Sequence, residues 1–138
     1  MNRQAVYYNR QEDDTPIHVC FYEDTFWLTL ESMSKLFGVE TRLVFETLKD
    51  ILKSGSLDAK SVNKKLTLYS DDGNPYLVNF FNLDVIMAIG YRLNIYEATE
   101  FRNWTNYMTK NYLLQGVKVE HSVIGSLKRK LSHMLESA

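Results

Sequence analysis

The sequence is 138 residues long and 45% hydrophobic, enough for one packed core and too short for two independent catalytic domains. Sixteen Lys/Arg against 17 Asp/Glu leave a net charge of −1, so the global balance announces no nucleic-acid partner. The single cysteine, Cys20, excludes an internal disulfide and fits a reducing compartment. No apolar run approaches a membrane span and the polar start Met1-Asn2-Arg3-Gln4 is no secretory signal, which predicts a cytoplasmic protein with no membrane partner.

In chain order, Ile17 to Tyr22 alternates with β-branched and aromatic residues, Glu23-Asp24 turns, and Thr25 to Leu28 forms a second short strand, so a hairpin is predicted. Thr29 is placed to cap a helix whose apolar positions Leu30, Met33, Leu36 and Phe37 recur at helical spacing, and Gly38 supplies a left-handed exit. From Glu40 a second helix places Val44, Leu48, Ile51 and Leu52 on one face and ends at Ser54-Gly55. A second hairpin follows, Leu66 to Tyr69 and Tyr76 to Phe81 around the turn residues 70–75. Asn82 then caps a helix, Leu83 to about Tyr91, that is apolar nearly all round and therefore buried. A longer helix from about Glu97 to Leu114 carries Phe101, Trp104, Met108 and Tyr112 along one stripe, a core pattern. Val123, Leu127, Leu131 and Met134 line up in a last amphipathic helix beside Lys128-Arg129-Lys130. The predicted class is α+β: a winged helix-turn-helix-like N-terminal part with two short β-hairpins, followed by packed C-terminal helices.

The helix pair at 27–52 carries the functional question. The outer face of the second helix presents Arg42, Glu46, Lys49 and Lys53, with Glu40 and Thr41 at its N-terminal end, where base contacts are usually made. Glu40 and Glu46 oppose phosphates, and Arg42/Glu46 pairing suits an ordinary solvated face equally well. Residues 1–59 hold six Lys/Arg and ten Asp/Glu, whereas residues 60–138 hold ten and seven. The helix-turn-helix half is thus the acidic half, and a phosphate-binding surface must come from local geometry or later segments. Lys60, Lys64 and Lys65 at the base of the wing are better placed for a backbone than its tip, Asp71 and Asp72.

Chemistry is sparse. His18, His121 and His133 are scattered, and His18 with Cys20 makes two ligands rather than a zinc site. There is no Gly-rich phosphate loop, nucleophile elbow or His-Glu-x-x-His helix. No cofactor, metal or catalytic residue is assigned, and an enzyme is not expected. Arg92 and Arg102 read first as partners of a carboxylate or helix end such as Glu97 or Glu100.

Three blocks, Phe26-Trp27-Leu28-Thr29…Met33…Leu36-Phe37-Gly38-Val39, Asn82-Leu83-Asp84-Val85-Ile86…Gly90-Tyr91-Arg92-Leu93-Asn94 and Phe101-Arg102-Asn103-Trp104, resemble in order and spacing the N-terminal region of the RhuM-type virulence proteins. They span roughly residues 4–119. The last two blocks resemble, more distantly, the Bro-N type domain of phage antirepressors. The resemblance implies a bacterial or phage-borne accessory protein with a DNA-binding N-terminal domain, here 1–119. The C-terminal amphipathic helix at 120–138, read from its own spacing and not from the resemblance, is suited to a dimer contact. The second helix departs from the Ser- and Arg-rich start of similar sequences, leaving Thr41 and Arg42 as its base readers.

Two readings stay open. In the first, a homodimeric regulator binds double-stranded DNA through Thr41, Arg42, Lys49 and Lys53, with Lys60, Lys64 and Lys65 on the backbone. In the second, the same frame is a protein-interaction module that antagonises a host regulator or defence complex.

Overall fold

The computed structural model describes residues 3–10 and 15–113. Strands β1 (Gln4–Tyr8), β2 (Ile17–Tyr22), β3 (Thr25–Leu28), β4 (Asn63–Tyr69) and β5 (Pro75–Asn82) form one antiparallel sheet in the order β1-β2-β3-β5-β4. Helices α1 (Leu30–Phe37) and α2 (Thr41–Lys53) lie between β3 and a one-turn α3 (Ala59–Val62), and α4 (Leu83–Leu93) and α5 (Ile95–Met108) follow β5. A π-helical turn at Thr109–Leu113 continues α5. The architecture is α+β, and both predicted hairpins are present. They are not separate, because β3 pairs with β5 through Trp27↔Asn82 and Leu28↔Phe81, and β1 extends the sheet beyond β2. The predicted helix over 121–137, its dimer contact and the Tyr112 side chain lie outside the described residues.

Strand alternation gives the sheet two apolar faces. One, with Val6, Val19, Phe26, Leu28 and Phe81, packs on Met33, Leu36, Phe37, Val44, Ile51, Ile86, Ile89 and Phe101 as the main core. The other gathers Cys20, Trp27 and Phe80 with Tyr22, Leu66, Leu68 and Val78. Strands β1 and β4 end opposite edges of the sheet, yet the Arg3 guanidinium donates to the Thr67 carbonyl at 3.1 Å. The sheet therefore curls, which is how this second cluster buries Trp27 and Phe80. The β2–β3 turn places Glu23 and Asp24 both at positive φ, 51° and 62°, the geometry whose twist matches a tight hairpin.

The helix-turn-helix forms as the residue types dictate. The Thr29 hydroxyl accepts from the Ser32 amide at 3.1 Å, satisfying an otherwise orphaned donor at the start of α1. Gly38 closes α1 in the left-handed region at φ 69°, and its amide donates to the Ser34 carbonyl at 2.9 Å. Arg10 locks this turn from outside. Its guanidinium donates to the Lys35 carbonyl at 2.8 Å and stands 3.6 Å from the buried Glu97 carboxylate on α5.

The α4–α5 corner braces the pair from below. The Asn82 side chain accepts from the Val85 amide, capping α4 at 3.3 Å. Asn94 performs two tasks: its carbonyl oxygen accepts from the Glu97 amide at 3.2 Å, capping α5, while its amide nitrogen donates to the Phe37 carbonyl at 3.0 Å. Gly90 lies where α1, α4 and α5 meet. A Cβ there would stand 2.7 Å from both the Ala98 methyl and the Phe37 ring, so only glycine permits the approach.

Candidate functional site

Helix α2 buries Val44, Thr47, Leu48 and Ile51 and turns Thr41, Arg42, Leu43, Phe45, Glu46, Lys49, Asp50 and Lys53 outward. Arg42, Lys49 and Lys53 fall within roughly 40° of one another on a 3.6-residue helix and span about 16 Å of its axis. They form one basic line down the exposed face. Arg42 Nε lies 3.2 Å from the Glu46 carboxylate with the two side chains 85% and 55% exposed. An ion pair this exposed is worth at most about 1 kcal/mol, so Arg42 can exchange Glu46 for another anion at small cost. The Lys49 ammonium sits 5.4 Å from the centroid of the Phe45 ring. Thr41 opens the helix after Glu40, whose side chain makes no cap bond.

The three lysines near the base of the β4–β5 hairpin separate. Lys60 in α3 and Lys65 in β4 are exposed. Lys64, one residue from Lys65, points to the opposite sheet face, where its ammonium pairs with Glu23 in the β2–β3 turn and lies over the Tyr22 ring. The hydrogen bond that the Lys64 ammonium donates to Glu23 raises the Lys64 pKa. Of the three, Lys64 is committed to Glu23, whereas Lys60 and Lys65 form no ion pair among the described residues. At the β4–β5 hairpin tip, Asp72 accepts from Ser70 and from the Asn74 side chain, bonds that hold its carboxyl below the ordinary value. The tip is a self-contained acidic turn.

Behind the helix-turn-helix, a cavity of about 630 Å³ is lined by Arg10, Thr15, Ile17, Ser34, Lys35, Gly38, Val39 and Glu40. Its half-buried cation, Arg10, donates to the Lys35 carbonyl and faces the Glu97 carboxylate. Among the described residues no three His, Cys, Asp or Glu side chains converge to hold a metal. His18 is exposed beside the Tyr7 ring at 5.5 Å, and Cys20 is buried, its thiol pushed up by desolvation. Arg92 and Arg102 are exposed, while Arg10 is the arginine that reaches Glu97. None of the described helices is long and apolar enough to cross a membrane.

Phe45 is the residue on this surface that periodicity did not single out. Its signal was available: on a 3.6-residue helix Phe45 lies about 60° from Leu48, about 100° from Val44 and about 120° from Ile51, at the edge of the core face.

A family model, that of the virulence protein RhuM family, matches residues 61–135, more than half of the chain. The chain belongs to the RhuM family. No curated protein and no solved structure matches it. The RhuM match takes in β4, β5, α4 and α5, with the second and third resemblance blocks, and runs on past residue 119. Helices α1 and α2 precede it. Within the matched stretch the block residues are architectural: Asn82 and Asn94 cap helices, Gly90 permits a helix crossing, and Phe101 and Trp104 join Tyr8 and Phe26 in one aromatic cluster. The matched stretch thus covers the brace beneath α2, and α2 itself precedes it.

Proposed function

We propose that this RhuM family member is a DNA-binding accessory protein of a bacterial mobile element or phage, cytoplasmic and without catalytic activity, that lays α2 in the major groove. The observation that supports this is the single line of Arg42, Lys49 and Lys53 on the exposed face of the second helix of a braced helix-turn-helix. A major groove about 12 Å wide admits one such helix. Thr41 and Arg42 stand at its N-terminal end for base edges, and Lys60 and Lys65 on the adjoining α3–β4 segment serve phosphates. Two copies on paired half-sites are part of this reading. Fluorescence anisotropy of a labelled mixed-sequence duplex at low salt tests it: saturable binding that Lys49→Ala and Lys53→Ala each weaken is expected, and no binding at low salt excludes it.

A second reading has its own support. Leu43 and Phe45 are 43% and 46% exposed on α2, and apolar exposure beside the Arg42–Glu46 pair suits a protein partner. A nucleic-acid-free complex with one host protein, lost on Leu43→Ser, would favour it.

A further inference from the structure

We infer that Phe45 determines sequence specificity on this surface by packing against the C5-methyl group of a pyrimidine in the major groove, a role that stands only if α2 reads DNA as proposed. Phe45 is 46% exposed while Val44 and Leu48 beside it are 0% and 4% exposed. Half the ring therefore gains nothing from the core. Its exposed neighbours one helical turn away are Thr41, Arg42 and Lys49, at four and three residues before and four after, while Leu48, three after, is buried. Every one of the exposed neighbours is a polar or cationic group of the candidate interface, so the ring sits among the groups that would meet the groove.

The ring is also held. The Lys49 ammonium at 5.4 Å over its centroid favours one ring placement through the aromatic quadrupole. The flanking cations draw this face of α2 towards phosphates and guanine edges, while the ring can neither donate nor accept. Apart from the flat C–H edges of cytosine C5 and purine C8, base-edge atoms in the major groove are hydrogen-bonding groups, and the apolar group that projects into the groove is the C5-methyl of thymine or of 5-methylcytosine. That methyl is the base-edge group most complementary to Phe45.

The test uses duplexes selected by the full chain from a random-sequence library. In a selected duplex each thymine is replaced in turn by uracil, which deletes the methyl alone, and affinities of wild type and Phe45→Ala are compared by anisotropy. At one position uracil should weaken wild type about fourfold, the worth of one buried methyl, and leave Phe45→Ala unchanged. Phe45→Leu, which keeps an apolar contact, should retain part of the discrimination. At the same position a 5-methylcytosine·guanine pair is bound better than cytosine·guanine if the methyl alone is read. Equal responses of wild type and Phe45→Ala to every uracil overturn the role of Phe45 and leave DNA binding standing. Failure of the library to yield any bound duplex overturns DNA reading itself. Unchanged circular dichroism of Phe45→Ala excludes misfolding as the cause of its behaviour.

Discussion

Gly90→Ala tests the brace most sharply, because two effects of opposite sign compete at one atom. Glycine in a helix interior is about 1 kcal/mol less favourable than alanine, so on propensity alone the change stabilises α4. Against this, the new methyl would lie 2.7 Å from the Ala98 Cβ and from two carbons of the Phe37 ring, whereas carbon atoms prefer about 3.5–4.0 Å. Neither neighbour has room to yield: Ala98 is 0% and Phe37 1% exposed, both packed in the main core. Overpacking of this kind costs typically about 1–3 kcal/mol, and with two fixed neighbours the upper part of that range applies. The net expectation is a loss of about 1–2 kcal/mol. In urea, with a slope of about 1–3 kcal/mol/M, the midpoint should fall by roughly 0.5–1 M at unchanged slope. Ala98→Gly in the same chain should recover part of the loss, a coupling above about 0.5 kcal/mol. A midpoint that stays or rises in Gly90→Ala refutes the close three-helix crossing.

Three further outcomes follow from the same contacts. Asn94→Ala removes the α5 cap and leaves the Phe37 carbonyl without its donor, and should destabilise by about 1–3 kcal/mol in the same urea assay. Asp24→Gly relieves a non-glycine residue at φ 62°; the relief of about 1–2 kcal/mol exceeds the added flexibility of the unfolded chain, so a net gain of about 0.5 kcal/mol is expected in thermal unfolding. Burial, reinforced by Glu97 and Glu100, raises the Tyr8 pKa well above that of a free tyrosine. The native state therefore keeps this proton where the unfolded chain loses it, so stability is full below about pH 10 and falls as pH rises beyond it; Tyr8→Phe should flatten that alkaline limb.

Local chemistry made much of the fold legible. Thr29, Gly38 and Asn82 act where their residue types said they would, and Val44, Leu48 and Ile51 face the core as their spacing requires. The unseen parts depend on contacts distant in sequence. Strand β1 has no alternation beyond Val6 and Tyr8, and it exists because Val6 and Tyr8 pair opposite Val19 and Ile17. Two residue pairs between β3 and β5 merge the hairpins, and no periodicity encodes them. Glu97 looked like a partner for Arg92 or Arg102, both near it in sequence, yet it meets Arg10 from the loop after β1.

The candidate site was legible in part for the same reason. Arg42, Lys49 and Lys53 could be placed on one face from spacing alone, with Thr41 at its N-terminal end. The division between Lys64 and Lys65 follows from strand alternation and the Lys64–Glu23 pair, and the second of these joins residues from separate hairpins.

The central claim is that the basic line of α2 meets phosphates and base edges, and the salt dependence of duplex binding tests it most directly. Lys49, Lys53, Lys60 and Lys65 give about four phosphate contacts per chain, Arg42 being kept for a base edge, so the logarithm of the association constant should fall with the logarithm of salt concentration at a slope of about −3.6. In the combined variant Lys49→Ala, Lys53→Ala that slope should become shallower by about 1.8. Binding with the same slope in the variant as in the wild type would contradict the account, because the contacts would then lie away from α2.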